Sequence, residues 1–244
     1  MKSVIVIGGN RGVGYEVVKS CLQLGYRVAY TGKEVEDLFK KEYNNNIIFR
    51  AFDLRDTKKS MEFVEEVIGQ WKKIDAVVFY AGITPFSSLT DCSVELYDEI
   101  FEVNLKSTFF ITQVAIKNMI ANGGGSFVFL GTSHMESGQI DRAAYAISKG
   151  GLKILSEHLA RRYAKYKIRS NIVIMGWTPT EGEIALRASL GILKEDLIVE
   201  ASEYIPMGRM LTVNDPIPAI LYFLSDDSSM VTGSTIRVNG GEYI

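Results

Sequence analysis

Short apolar runs separated by stretches of helical periodicity organise this chain. Val4-Ile5-Val6-Ile7 is an unbroken apolar run, of the kind carried by a strand buried on both faces. Similar runs at 27–31, 47–52, 75–80, 126–130, 170–175 and 232–238 predict further strands. Between them, apolar residues return about every three or four positions, which predicts helices over 15–24, 57–71, 93–122, 142–165 and 216–224. Strands alternating with helices predict an α/β fold, one doubly wound domain over 1–244 with about seven parallel strands. Asn104 falls inside the 93–122 helix, an unfavourable place for an asparagine unless its amide is used. Gly150-Gly151 inside the 142–165 helix costs stability and predicts close backbone packing there.

The first strand runs directly into Gly8-Gly9-Asn10-Arg11-Gly12-Val13-Gly14, and a helix follows. Strand, glycine turn and helix are the context in which such a motif binds a dinucleotide. The glycines let backbone approach a pyrophosphate, and the helix N-terminus offers it free N–H groups and a positive dipole. A tight turn with no ligand is the alternative. The second-strand turn, where an NAD site places its ribose-binding acid, reads Thr31-Gly32-Lys33, with Glu34 immediately after. Asp53 ends the third strand and is also placed to cap the helix starting near Thr57.

Tyr145-Ala146-Ile147-Ser148-Lys149 puts a phenol and an ammonium four residues apart on one helix face. A nearby ammonium favours the phenolate, so such a pair can pass a proton to or from a substrate oxygen at neutral pH.

Composition narrows the partners. With 244 residues, 47% hydrophobic and 23% charged, the chain has the material for a soluble core. A net charge of −2 points to neither a nucleic acid nor an acidic membrane. No apolar run approaches the roughly 20 residues of a membrane span, and the 4–7 run is too short for a signal peptide. Cys21 and Cys92 form no CxxC and no metal-type spacing with His134 or His158, so free thiols in a reducing cytoplasm and no metal site are expected.

Gly8, Gly12 and Gly14 with Tyr145 and Lys149 downstream resemble the short-chain dehydrogenase/reductase family in its compact "classical" form, a Rossmann-type fold, over nearly the whole chain. The resemblance implies that Asn10, Arg11, Val13, Lys33, Asp53, Leu54, Ala81, Gly82, Gly176, Thr178 and Thr180 join those glycines, Tyr145 and Lys149 in holding the cofactor. Asp53 would contact the adenine, Thr178 the nicotinamide amide and Thr180 the pyrophosphate. Asn104 matches the family's catalytic asparagine, which orders a relay water. Thr132, thirteen residues before Tyr145, matches its serine, and Ser133 is the alternative. Ser133, His134, Glu136 and Trp177 fall on the expected substrate side, below a lid over about 181–206.

Four positions depart from the family pattern. Ile7 replaces a threonine that ties the turn, Tyr80 replaces an asparagine that braces the sheet, Thr132 replaces serine and Met175 replaces proline. The implied activity is NADP(H)-dependent interconversion of a small carbonyl compound and a secondary alcohol, because Arg11 and Lys33 suit a 2′-phosphate. NAD(H) with Glu34 on its ribose is the alternative. A homodimer or homotetramer built on the 93–122 and 142–165 helices is expected. Two rival functions stay open. A silent dinucleotide-binding regulator would explain the departures. A nucleotide-sugar epimerase or dehydratase would need more chain than the three residues after Gly241.

Overall fold

All five residues of β1 (Ser3–Ile7) are buried, because this strand lies near the middle of a sheet with helices on both faces. The computed structural model describes residues 1–33, 39–43, 46–138, 141–179 and 181–242. The other strands are β2 (Arg27–Gly32), β3 (Ile47–Ala51), β4 (Ala76–Phe79), β5 (Gly125–Thr132), β6 (Ile168–Met175) and β7 (Thr235–Val238). They form the expected seven-stranded sheet in the order β3-β2-β1-β4-β5-β6-β7, parallel throughout. The order reverses between β1 and β4, and the crevice beyond the strands' carboxyl ends at such a switch is where ligands bind.

The helices are α1 (Gly12–Gln23), α2 (Lys40–Tyr43), α3 (Thr57–Trp71), α4 (Val94–Phe101), α5 (Ser107–Ala121), α6 (His134–Ser137), α7 (Ala143–Tyr163), α8 (Glu181–Ser189), α9 (Lys194–Tyr204) and α10 (Ile217–Leu224). Strand side chains alternate between two layers. Ile5, Val77 and Phe79 pack with Val64 of α3, Ile111 of α5 and Leu152 of α7. Val4, Val6 and Val78 pack on the opposite face with Val17 of α1 and Phe223 of α10. Among the described residues no helix is long and apolar enough to cross a membrane.

The predicted 93–122 helix is broken. A π-helical turn, Glu102–Lys106, separates α4 from α5 and contains the fully buried Asn104. Such turns mark places where the regular ladder gives way to another demand, and here the demand is the set of partners the Asn104 amide finds outside the helix. Helix α1 begins at Gly12 rather than near 15, following directly on an extended Arg11. Asp53 does not cap α3; the side chain of Asp56 does, accepting from the Lys59 N–H. Close packing holds for Gly151, where a Cβ would sit 2.8 Å from Leu105, but a Cβ on Gly150 would meet nothing within 4 Å.

Candidate active site

The glycine turn is shaped by contacts only glycine allows. Gly8 has φ +89°, and a Cβ there would lie 2.8 Å from the Ala81 Cβ. A Cβ on Gly14 would lie 2.0 Å from the Gly8 carbonyl oxygen. Thr31 on β2 does the work that Ile7 cannot: its hydroxyl accepts from the Gly8 N–H at 3.0 Å and its carbonyl from the Gly9 N–H at 2.8 Å. Tyr80 replaces the missing bracing asparagine in its own way. It packs against Gly14, accepts from the Val13 N–H, and burial raises its pKa. Val13 is fully buried. Arg11, which precedes α1, makes no side-chain cap, and Tyr80 takes the Val13 N–H, while the helix start keeps its positive end toward the turn. A glycine turn of this shape, opening on a cavity of about 580 Å³, fits a dinucleotide pyrophosphate.

Gly8, Asn10, Arg11, Gly12, Lys33, Asp53 and Leu54 line one end of that cavity. Lys33 Nζ is 3.4 Å from Asp53 Oδ2, and Arg55 donates to the same oxygen at 2.7 Å. The Arg55 hydrogen bonds hold the Asp53 carboxyl well below the usual carboxylate range, with Lys33 adding to the effect. Glu34 lies outside the described residues.

At the other end the cavity meets Ala81, Gly82, Thr132, Ser133, His134, Tyr145, Lys149, Gly176, Trp177 and Thr178. Lys149 is buried, donates to the Leu130 carbonyl at 3.2 Å, and burial lowers its pKa to about 8. Asn104 stands one layer behind the wall. Its Oδ1 accepts from the Ile83 N–H at 2.8 Å, and its Nδ2 donates to the Ile83 carbonyl and to Ser148 Oγ, each at 3.0 Å. The side chain is thus occupied at both amide atoms, and the main-chain carbonyl accepts from the Thr108 hydroxyl at 3.3 Å. The Thr132 hydroxyl accepts from the His134 N–H at 3.3 Å, and its own proton is not given away in that contact. The Ser133 hydroxyl turns toward the Met175 carbonyl, 3.4 Å away. His134 meets Tyr145 edge to face, with centroids 6.1 Å apart.

The 176–178 segment forms the remaining wall, and Thr178 is buried with its hydroxyl on the Gly176 carbonyl at 3.1 Å. Thr180 lies outside the described residues. Glu136 is not a substrate-side group; Arg237 binds it through two hydrogen bonds of 2.9 and 2.7 Å. Two participants escaped the sequence. Arg142 is buried beside the cavity, bonded to Thr84 at 2.7 Å and stacked on Phe86 at 4.3 Å. Glu242 is buried in the same wall, accepting from the Trp177 N–H at 3.0 Å. Neither belongs to a motif, and only three-dimensional proximity shows them. Among the described residues no His, Cys, Asp and Glu group suits a metal ion.

A family model described as Enoyl-(Acyl carrier protein) reductase matches residues 7–242. An acetoacetyl-CoA reductase of Acinetobacter sp. is 27% identical, with 100% of this chain and 98% of the relative covered. The solved structure of ElxO with NADP bound has a TM-score of 0.88 at 25% identity, covering 99% and 98% of the two chains. A short chain dehydrogenase from Leptospira borgpetersenii with bound NAD+ has a TM-score of 0.88 at 26% identity, covering 100% and 93%.

Proposed function

The chain belongs to the short-chain dehydrogenase/reductase family and is an oxidoreductase of carbonyl and alcohol groups; we propose that it works with NADP(H), using Tyr145 as general acid and base. One observation carries the reading: Tyr145, Lys149 and Thr132 line the same cavity as the glycine turn. Gly8, Asn10, Arg11, Gly12 and the α1 N-terminus would hold the pyrophosphate and adenosine, with Asp53 and Leu54 at the adenine and Thr178 at the nicotinamide. When bound, the nicotinamide supplies or accepts the hydride.

In the reducing direction Tyr145 donates its phenolic proton to the substrate oxygen. Thr132 donates a hydrogen bond to that oxygen and polarises the carbonyl. The Ser133 hydroxyl is turned toward the Met175 carbonyl and commits its proton there, which supports Thr132 over its neighbour. Lys149 holds a positive charge one helical turn from Tyr145 and reaches toward the ribose. Asn104 braces both the Ile83 backbone and the α7 turn ahead of Lys149, and would order the relay water from there. His134 and Trp177 contact the substrate, and 181–206 covers it. The protein is read as a single cytoplasmic domain that assembles as a dimer or tetramer.

The test is a panel of ketones, keto esters and secondary alcohols, followed by nicotinamide absorbance, with Tyr145→Phe as control. Turnover in the wild type and its loss in the variant are expected. Cofactor binding with no turnover across the panel would favour a regulator.

A further inference from the structure

The turn that follows β7 reaches back into the cavity. Asn239 accepts from the Gly241 N–H at 3.2 Å and donates to the Glu242 carbonyl, which folds the turn on itself. A Cβ on Gly241 would lie 3.1 Å from Pro206, and Met207 donates to the Gly240 carbonyl at 3.0 Å, so the turn also sits on the chain just after α9. From this platform the Glu242 side chain enters the wall between the loops that follow β5 and β6. Its Oε2 accepts from the Trp177 N–H at 3.0 Å. The Ser133 hydroxyl, which faces the Met175 carbonyl at 3.4 Å, also lies close enough to the carboxylate to favour its charged form. A Cβ on Gly176 would lie 2.6 Å from Oε2, so glycine at 176 is what lets the carboxylate in.

A carboxylate buried this deeply carries a desolvation cost that a few hydrogen bonds only partly offset. Burial raises the Glu242 pKa, while the Trp177 N–H and Ser133 hydroxyl oppose the rise. The other titratable or charged side chains on this half of the cavity are His134, Asp141, Arg142, Tyr145, Lys149, Arg187, Glu200 and Tyr204. A glutamine would fill the same space without the cost, so a carboxylate here needs a reason beyond packing. Ser133 adjoins Thr132 and Trp177 adjoins Thr178, one on each side of the proposed reaction centre.

We infer that Glu242 is a positioning residue of the proposed active site: its carboxylate ties the Thr132-Ser133 loop to the Trp177-Thr178 loop and anchors both to the chain after α9. The inference rests on the oxidoreductase reading for its effect on turnover, but the tie itself is observable without turnover.

The backbone amides of Ser133 and Trp177 are followed by NMR as pH falls, in the wild type and in Glu242→Gln. Both amides should move together with one midpoint above the ordinary 4.5 of a glutamate, and neither should do so in the variant. Kinetics complete the test. Glu242→Gln should lower kcat by tenfold or more, remove an acid limb from the pH profile, and leave the NADPH Kd within about twofold, since a tenfold change in kcat is about 1.4 kcal/mol of barrier. Should Glu242→Gln not fold, Glu242→Asp and the wild-type titration carry the same test, the shorter side chain being expected to break the shared midpoint. Flat amides in the wild type would overturn the tie. A shared midpoint with wild-type kcat in the variant would overturn the positioning role. A wild type that titrates as expected but turns over nothing would instead count against the oxidoreductase mechanism.

Discussion

Asn104 Nδ2 donates to Ser148 Oγ across 3.0 Å, joining the π-helical turn to the helix that carries Tyr145 and Lys149. Ser148 passes the contact on, donating to the Tyr145 carbonyl at 2.7 Å. Asn104 also holds both polar backbone groups of Ile83. One amide therefore fixes the segment after β4 against α7. Asn104→Ala would strand these buried groups, each at a cost of about 1–3 kcal/mol. Net destabilisation of about 3 kcal/mol is expected, read by denaturant unfolding, with kcat reduced at least tenfold. A variant as stable as wild type would show that the amide is dispensable.

Tyr145→Phe removes only a hydroxyl, so cofactor Kd should hold steady while kcat falls by about 10²–10⁴-fold. Retention of more than half the wild-type kcat would remove Tyr145 from the mechanism. Thr132→Ala should be severe and Ser133→Ala milder, because the Ser133 hydroxyl faces Met175. The opposite ranking would assign the polarising role to Ser133.

Lys149 separates stability from function. Its pKa falls from 10.5 to about 8 through burial, a displacement equivalent to about 3 kcal/mol. Below pH 8 the lysine is protonated in both folded and unfolded chains, and the folded state carries the full cost. Between about 8 and 10.5 the unfolded chain holds more protons, so stability rises with pH and the cost fades. Lys149→Met should therefore stabilise the protein near neutral pH by about 2 kcal/mol, after allowing about 1 for the lost bond to Leu130. The gain should shrink toward pH 10.5, and turnover should be lost. Unfolding curves at both ends of that window decide it; a destabilised variant near neutrality would mean that the buried ammonium is a net structural asset.

Period and punctuation made the sheet and most helices legible, because buried parallel strands are apolar runs and the glycine turn sits directly behind the first of them. The Tyr145-Lys149 pair was legible for the same reason, being local in the chain. What escaped depends on contacts distant in sequence. Thr31 stands in for the turn-tying threonine from a neighbouring strand. Asn104 bends its helix into a π turn to reach Ile83 and Ser148. Glu242 reaches Trp177 from 65 residues away. The cap was ambiguous locally: two aspartates lie near the start of α3, and Asp56 caps it while Asp53 turns to Arg55 and Lys33.

A dimer or tetramer is expected to form on the surface of α4, α5 and α7. Val94, Tyr97, Phe109, Ile147 and Ile154 are all exposed there, and apolar surface gathered in one patch marks an interaction site. Gly150, with room around it, lies between the last two and would let a second helix approach. A two-fold interface of about 800 Å² per partner is expected. Light scattering should give a dimer or tetramer at micromolar concentration, and Phe109→Asp with Ile154→Asp should shift it toward monomer. A wild-type monomer would refute the interface.

Preference for NADPH over NADH turns on Arg11 and Lys33, which both line the cavity. A 2′-phosphate is dianionic near neutral pH, and charge-assisted hydrogen bonds to it contribute about 1.5–3 kcal/mol each when shielded. These side chains are not shielded: Arg11 is exposed and the Lys33 side chain is 64% exposed, so solvent screening trims each toward about 1 kcal/mol. Asp53 trims Lys33 further, lying 3.4 Å from its ammonium. Arg11 also has the rigid planar fork that matches phosphate oxygens, whereas Lys33 offers a mobile point charge. The larger share therefore falls to Arg11, and a preference of about fivefold, rising toward about thirtyfold if both engage, is expected in kcat/KM. Arg11→Ala should erase most of it and Lys33→Ala less. Asp53→Asn should raise it, by releasing the lysine. Equal use of both cofactors, or an Arg11→Ala/Lys33→Ala double variant with unchanged preference, would mean that neither cation reads the phosphate and that the NADH alternative is correct.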